Sequence, residues 1–329
     1  AKIIDVAADV KVFRLVSATG GRLPFPFLPG QYLSFRLAEG ERVFTRSYSI
    51  CSAPEQLNYC DIAVKRMEDG RGSLYLHQHI APGQSLTCVG PMGSFTFAGT
   101  EADSLVMIAG GIGITPMLSV LRHLAQTSWP HEVYLLFAVS TPGDILFEQE
   151  IRAISQQYPR LQYLILPSKV SGFSWEGPNG RIQAEHLVNF VPYIDRRRVH
   201  VCGPEPMMAA TIAILHELNV ADSHIHTESF GSGDVIVDDN LVDALVTFVK
   251  SEKACFAPAG MTLLDAAEEC GVSVESLCRT GTCGTCKVKV VAGEVNMHRD
   301  DALTARDIRH RIVLACQARA ATADVRIEH

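Results

Sequence analysis

Residues 278 to 286 read Cys-Arg-Thr-Gly-Thr-Cys-Gly-Thr-Cys, and a fourth cysteine, Cys316, follows in Val-Leu-Ala-Cys-Gln-Ala. Gly281 and Gly284 interrupt the run, so it is neither a core helix nor a regular strand. A loop this dense in thiols has to fold around something the thiols share. The N-terminal Ala-Lys-Ile-Ile-Asp-Val-Ala alternates like a strand and lacks the basic-then-apolar pattern of an export signal. That predicts a cytoplasmic protein, in which thiols stay reduced unless ligated, so the cluster points to metal or redox chemistry rather than to disulfides. The other six of the ten cysteines, Cys51, Cys60, Cys88, Cys202, Cys255 and Cys270, sit in apolar surroundings and read as buried small hydrophobes.

Cys278, Cys283 and Cys286 are spaced C-x4-C-x2-C, and twenty-nine residues separate Cys286 from Cys316. This is the spacing of a plant-type [2Fe–2S] centre. Gly281 and Gly284 let the backbone wrap and aim N–H groups at the sulfurs. The alternative is structural zinc, which uses two separated knuckles; here Cys283 and Cys286 form a single one. An iron–sulfur centre takes one electron at a time, so the remainder of the chain is where a donor should be sought.

At 329 residues the chain is long for one core. Residues 1–102 alternate short β-like runs with turns: Val10–Ala18, Leu23–Leu37, Arg46–Ser52, Cys60–Met67, Gln84–Gly90 and Gly93–Gly99. They predict an antiparallel β-barrel. Residues 103–229 alternate apolar strands with helical stretches, the pattern of an α/β domain with a parallel sheet. Residues 230–245 carry four Asp and no Lys or Arg and read as a linker, and 246–329 begin as a hairpin and short helix. The chain is therefore expected to be multidomain. Nothing approaches the run of about eighteen apolar residues that spans a bilayer. The net charge of −7, without a basic stripe, argues against nucleic acid as a partner.

Four further motifs bear on a donor. Arg46 and Tyr48 share one face of a strand, with Ser49 next to them; a guanidinium suits a phosphate and a tyrosine ring packs on an aromatic ligand, although a half-exposed surface strand reads the same way. Asp69, Gly70 and Gly72 lead into a helix expected near Ser73, which makes either an anion site or a plain hairpin turn. Gly110, Gly111 and Gly113 precede Thr115 and Pro116 at the start of a helix. These glycines let a ligand approach the backbone, but Pro116 stands where a dinucleotide fingerprint has its third glycine. Cys202, Gly203 and Pro204 end a strand at the edge of the parallel sheet where ligands bind, though a buried cysteine can simply pack.

Taken together, R-S-Y-S, G-R-G-S, G-G-I-G-I-T-P, C-G-P and C-x4-C-x2-C…C resemble the ferredoxin–NADP reductase superfamily with a fused plant-type ferredoxin. In layout they are similar to reductase components of Rieske-type oxygenases and to reductases of the hybrid cluster protein. The resemblance implies a flavin-binding β-barrel, an NAD(P)-binding α/β domain and an α+β (β-grasp) ferredoxin domain over residues 246–329. It implies that Arg46, Tyr48 and Ser49 hold the flavin, with Ser49 near its reactive edge, that Lys65 and Arg66 lie beside it, and that Gly72 and Ser73 bind its phosphate. Gly110, Gly111, Gly113 and Pro116 would line the nucleotide loop, Thr115 would sit between flavin and nicotinamide, and Cys202, Gly203 and Pro204 would border the nicotinamide. Glu228 and Phe230 would close the nucleotide domain against the flavin. Cys278, Cys283, Cys286 and Cys316 would ligate the cluster.

By the same resemblance Gly90–Phe97 favours FAD over FMN. NADH is favoured because no Lys or Arg follows the second strand, Val133–Ser140, before Arg152 to meet a 2′-phosphate. The implied reaction carries electrons from NADH through FAD and [2Fe–2S] to a redox acceptor protein, a terminal oxygenase or, alternatively, a hybrid cluster protein. A zinc-stabilised C-terminal binding module is the rival of another class. Arg279, Thr280 and Thr282 are the expected surface for the acceptor.

Overall fold

The computed structural model describes residues 1–40, 42–230, 241–281, 283–297 and 302–329. Most of the expected linker 230–245, and Thr282, lie outside the described residues. Packing divides the chain into two compact units. One comprises Ala1–Leu33, Tyr48–Ser85 and Pro91–Phe230; the other comprises Ser34–Ser47, Leu86–Gly90 and the stretch from 231 to 329.

The N-terminal region contains β1 (Lys2–Ala7), β2 (Val10–Leu15), β3 (Tyr32–Glu39), β4 (Arg42–Ser49), β5 (Cys60–Lys65), α1 (Arg71–His79) and β6 (Thr87–Met92). In the first unit β1, β2 and β5 form an antiparallel sheet in that order. A second three-stranded sheet runs β4-β3-β6. Three expectations need correction. The run 23–37 becomes a strand only at Tyr32, because Pro24, Pro26 and Pro29 cannot donate to a ladder. The run 93–99 forms no strand: Gly93 and Gly99 take positive φ and turn the backbone out of the ladder, although Phe95 and Phe97 are buried. α1 begins at Arg71 rather than near Ser73, whose hydroxyl donates back to the Gly70 carbonyl at 2.8 Å and accepts from Met67 N at 3.0 Å.

The first unit continues with β7 (Ser104–Gly110), α2 (Ile114–Gln126), β8 (Glu132–Val139), α3 (Glu148–Gln157), β9 (Leu161–Pro167), α4 (Ala184–Phe190), β10 (Arg198–Cys202), α5 (Glu205–Glu217) and β11 (Ile225–Glu228). The five strands form a wholly parallel sheet in the order β11-β10-β7-β8-β9. Its central strands are continuous apolar runs because both faces are covered. Leu105, Met107, Leu135 and Phe137 join Met117 and Leu121 of α2 on one face. Val106, Ile108, Tyr134 and Leu136 join Leu187 of α4 and Met208 of α5 on the other.

The second unit adds β12 (Ala244–Phe248), β13 (Lys253–Ala257), α6 (Leu263–Glu269), β14 (Lys287–Ala292), β15 (Val295–Met297), α7 (Ala305–Arg309), β16 (Ile312–Leu314), β17 (Ala318–Ala320) and β18 (Asp324–Glu328). A mixed sheet, β13-β12-β18-β14-β16, has β12 and β18 parallel and its other neighbours antiparallel. The buried face of α6, Leu263, Leu264, Ala266 and Ala267, closes the core against Val246, Phe248, Val290, Val325 and Ile327. This is the expected α+β arrangement of a helix packed on a mixed sheet. Thr262 caps α6 by accepting from Asp265 N at 3.1 Å.

The cysteines outside the loop do not all behave as small hydrophobes. Cys51, Cys60 and Cys202 are buried and Cys88 is half-buried, but Cys255 of β13 and Cys270, at the C-terminal end of α6, are brought side by side with Cα atoms 6.0 Å apart. The helix returns its end to the strand it packs on, a proximity that linear spacing does not reveal. Among the described residues no helix is long and apolar enough to cross a membrane.

Candidate functional site

The chain leaves the sheet centre outward through β7, β8 and β9, then returns to place β10 on the other side of β7. At such a reversal the carboxyl ends of the two neighbouring strands open a crevice, and here those ends are Gly110 and Cys202. Cys202 pairs in register with Ala109 of β7 and Glu228 of β11. It is fully buried, and burial together with the Glu228 charge pushes its thiol well above the ordinary range, so it stays a neutral thiol. Burial also lifts the Glu228 carboxyl from 4.5 to about 8, against the lowering effect of Ser49, whose hydroxyl donates to Oε2 at 3.4 Å. Thr115 is buried in the first turn of α2 and donates to the Ile112 carbonyl at 3.0 Å. The group therefore offers hydroxyls and a neutral thiol to orient a ring, and one carboxyl able to hold a proton near neutral pH. It contains no strong general base.

The glycines beside this group have reasons that differ from the expected one. A Cβ on Gly113 would overlap the Cys202 carbonyl, and one on Gly203 would lie 2.9 Å from the Gly110 Cα. Gly110 is crowded by Met207 and Pro204. These three glycines exist because two backbone loops touch each other. Gly111 is different: its φ is +51° and a Cβ would meet nothing within 4 Å, so it is the open position of the loop. Pro204 stands at the N-terminal cap of α5, Pro116 lies in the first turn of α2, and Phe230 is exposed.

Elsewhere in the first unit, Tyr48 is half-buried and Ser49 buried. Lys65 is engaged with Asp9 at 3.4 Å. Gly72 and Ser73 are buried in the first turn of α1, which carries no acidic side chain, and a helix start of this kind accepts an anion. Arg46, in the second unit, donates to the Thr45 carbonyl at 2.8 Å and to Glu268 Oε2 at 3.3 Å. Burial, followed by repulsion from Arg279, lowers its affinity for its proton. A buried guanidinium needs a counter-charge, and Glu268 supplies it.

Asp144, the nearest acid to the second strand, accepts from Thr141 N and Oγ1 at 2.8 Å each. The backbone of Lys169 does lie beside this strand end, its N–H donating to the Ser140 carbonyl at 2.9 Å. Lys169 follows the neighbouring strand β9, so reading along one strand misses it.

In the second unit Cys278, Cys286 and Cys316 are buried and Cys283 is exposed. The thiols gather as two pairs. Cys278 and Cys283 hydrogen-bond, which lowers the Cys278 thiol; the sulfurs of Cys286 and Cys316 lie 3.3 Å apart, which lowers Cys286. Two separate thiol pairs suit a centre of two metal ions, each with two thiolates, and this donor set fits [2Fe–2S]. Gly281 and Gly284 take φ of +84° and +71°, as the wrapped loop demands, and Thr280 N donates to Cys278 Sγ at 3.4 Å.

Arg279 is not rim surface. It is only 7% exposed, donates to Glu268 Oε1 at 2.6 Å and pairs with Asp265. Thr280 is half-buried; among the described ligands the outward-facing one is Cys283. Sequence reasoning missed Asp265 and Glu268, whose i, i+3 spacing places them on one face of α6. It also missed Gln317, whose Nε2 donates to the Arg279 carbonyl at 2.9 Å and the Cys316 carbonyl at 3.0 Å.

Residues 1–97 match the oxidoreductase FAD-binding domain family, 107–212 the oxidoreductase NAD-binding domain family and 247–321 the 2Fe-2S iron-sulfur cluster binding domain family. The chain is 33% identical, over 96% of its length and 90% of the other, to the glycine betaine monooxygenase reductase subunit of Chromohalobacter salexigens. It is 32% identical, over 89% of its length and 86% of the other, to NADH oxidoreductase HCR of Escherichia coli (strain K12). The solved structure of phthalate dioxygenase reductase, described as modular for electron transfer from pyridine nucleotides to [2Fe–2S], matches with a TM-score of 0.73 at 26% identity, covering 100% of this chain and 96% of that one.

Proposed function

The chain belongs to the ferredoxin–NADP reductase superfamily, in the branch with a fused C-terminal plant-type [2Fe–2S] ferredoxin domain, and we propose that it is the NADH-dependent reductase component of an oxygenase system. The observation that carries this reading is the grouping of four cysteines into two pairs, in a chain whose upstream crevice has the residues to seat a flavin and a nicotinamide. When bound, FAD takes a hydride from NADH and the cluster relays its electrons singly to a partner protein.

The chain's own residues position and insulate. The first turn of α1, with Gly72 and Ser73, offers N–H groups to the flavin phosphate. Tyr48 and Ser49 line the flavin edge, and Glu228 holds a proton behind Ser49. Cys202, Gly203 and Pro204 bound the nicotinamide side, where an uncharged buried thiol keeps water away from the transferred hydride. Gly111 leaves room for the ligand backbone, and Thr115 fixes the turn that carries it. Lys65, tied to Asp9, belongs to the rim of this site. Arg46 is held by Glu268 within the second unit. The proposed domains are 1–102, 103–229 and 246–329.

The partner is proposed as a terminal oxygenase because relatives across nearly the whole chain are reductase components of such systems. Similarity to NADH oxidoreductase HCR supports a second reading, in which the same electron chain feeds another redox protein. Anaerobic reduction with NADH or NADPH, followed by mixing with candidate acceptors, tests both. NADH should be preferred at least tenfold, and the acceptor that reoxidises the cluster identifies the system. Equal use of NADPH would overturn the NADH assignment.

A further inference from the structure

The cluster loop is held by strands of the flavin region through contacts that neither the motifs nor the family matches indicate, all within the second unit. Ser34 of β3 and Ser47 of β4 face each other with their hydroxyls 2.7 Å apart. Ser34 Oγ lies 3.0 Å from the Leu277 carbonyl, and Ser47 Oγ lies 3.2 Å from that carbonyl and 3.4 Å from the Cys278 carbonyl. Two hydroxyls have two protons, so one serine donates to Leu277 O and the other donates to its neighbouring hydroxyl or to Cys278 O. Ser34 is 1% exposed and Ser47 half-buried, so the Ser34 end of the clasp is shielded from competing water. A second tie runs alongside it: Glu268 accepts from Arg46 of β4 on one oxygen and from Arg279 of the loop on the other.

Resting on the reductase reading, we propose that Ser47, with Ser34, is the positioning clasp that fixes the first cluster cysteine against β4 and sets the rate at which electrons pass from flavin to cluster. β4 runs from Arg46 through Ser47 into Tyr48 and Ser49, the residues assigned to the flavin. From the Ser47 hydroxyl, one hydrogen bond reaches the Leu277 carbonyl, and its peptide bond leads straight into Cys278, whose sulfur is a cluster ligand. With FAD and [2Fe–2S] bound, each passage would take one electron from the reduced flavin and convert one ferric iron to ferrous, and the cluster would pass that electron to the acceptor before the next. Two passages and two acceptor equivalents would account for the two electrons of the hydride, whose proton would leave to solvent. The serines take no part in these bond changes; they hold the Leu277–Cys278 backbone still.

The test uses the full-length holoprotein with Ser47→Ala, Ser34→Ala/Ser47→Ala and Ser47→Thr. Anaerobic stopped-flow separates flavin reduction by NADH from electron arrival at the cluster, while hydrogen exchange reports the amides of residues 277–280. The double alanine variant should retain its flavin, iron and sulfide content and its flavin reduction rate. Its flavin-to-cluster step should slow about tenfold or more, with faster exchange at 277–280, and Ser47→Thr should restore both. An unchanged electron-transfer rate in the double variant overturns the clasp, as does slowing that threonine fails to rescue. A wild-type protein in which NADH reduces no flavin, or no cluster is present, overturns the reductase reading and the clasp with it.

Discussion

Replacing Glu228 by Gln should remove a loss of stability that the wild-type protein suffers between pH 4.5 and about 8. In the folded chain this carboxyl ionises near pH 8, whereas its ordinary value is 4.5, and the cause is burial only partly relieved by the Ser49 hydroxyl. The unfolded chain therefore loses this proton first as pH rises. Between the two values the folded state holds one proton more, so stability falls with increasing pH. A displacement of that size corresponds to about 5 kcal/mol. The residue keeps a partly exposed edge even though its carboxylate is enclosed, and solvent screening discounts the effect to about 2 to 3 kcal/mol. Gln keeps the shape and cannot ionise, so the penalty disappears. Urea unfolding from pH 5 to pH 9 should show wild type and Glu228→Gln diverging steadily above pH 5, with the variant the more stable by about 2 to 3 kcal/mol at pH 9. Ser49→Ala should steepen the wild-type decline, because it removes the one group that favours the carboxylate. Parallel profiles for wild type and Glu228→Gln would refute the buried-carboxyl argument.

Four other outcomes follow from the geometry. Gly113→Ala should lower stability by about 1 to 3 kcal/mol in thermal unfolding, because its Cβ overlaps the Cys202 carbonyl although its backbone is ordinary. Gly111→Ala, by contrast, meets open space, costs about 1 kcal/mol for its positive φ and should chiefly raise KM for NADH. Arg279→Ala leaves Asp265 and a buried Glu268 carboxylate short of positive charge, and should cost about 3 kcal/mol in the unfolding of the cluster-bearing unit followed by visible absorbance. Cys283→Ser should abolish electron output while leaving flavin reduction by NADH within about twofold; loss of both would contradict separate flavin and cluster steps.

The parts of this molecule that were legible in sequence are those written in local pattern. Continuous apolar runs alternating with helices predicted the parallel sheet, and C-x4-C-x2-C…C predicted the thiols that gather in pairs. The two loops that meet at the crevice were legible one by one as Gly110–Gly113 and Cys202–Pro204, but not that most of their glycines serve one another. In 23–37 and 93–99 the apolar alternation is that of a strand, but three prolines in the first and two positive-φ glycines in the second keep the backbone out of a ladder. The remaining errors concern pairs distant in sequence. Arg279 read as surface because its partners Asp265 and Glu268 lie on a helix upstream. Cys255 and Cys270 read as separate hydrophobes because only the packing of α6 on β13 joins them. Ser34 and Ser47 carried no signal, since a serine on a β-strand is ordinary until its hydroxyl finds a carbonyl some 240 residues away.

The most direct test of the electron chain is an anaerobic NADH titration of the purified protein, followed by visible absorption and electron paramagnetic resonance, with flavin, iron, sulfide and zinc measured on the same sample. The account predicts about two iron and two sulfide per flavin, overlapping flavin and iron–sulfur bands that both bleach with NADH, and a paramagnetic reduced cluster that disappears on adding the acceptor. A yellow protein with zinc in place of iron, or a cluster that stays oxidised while the flavin is reduced, would contradict it.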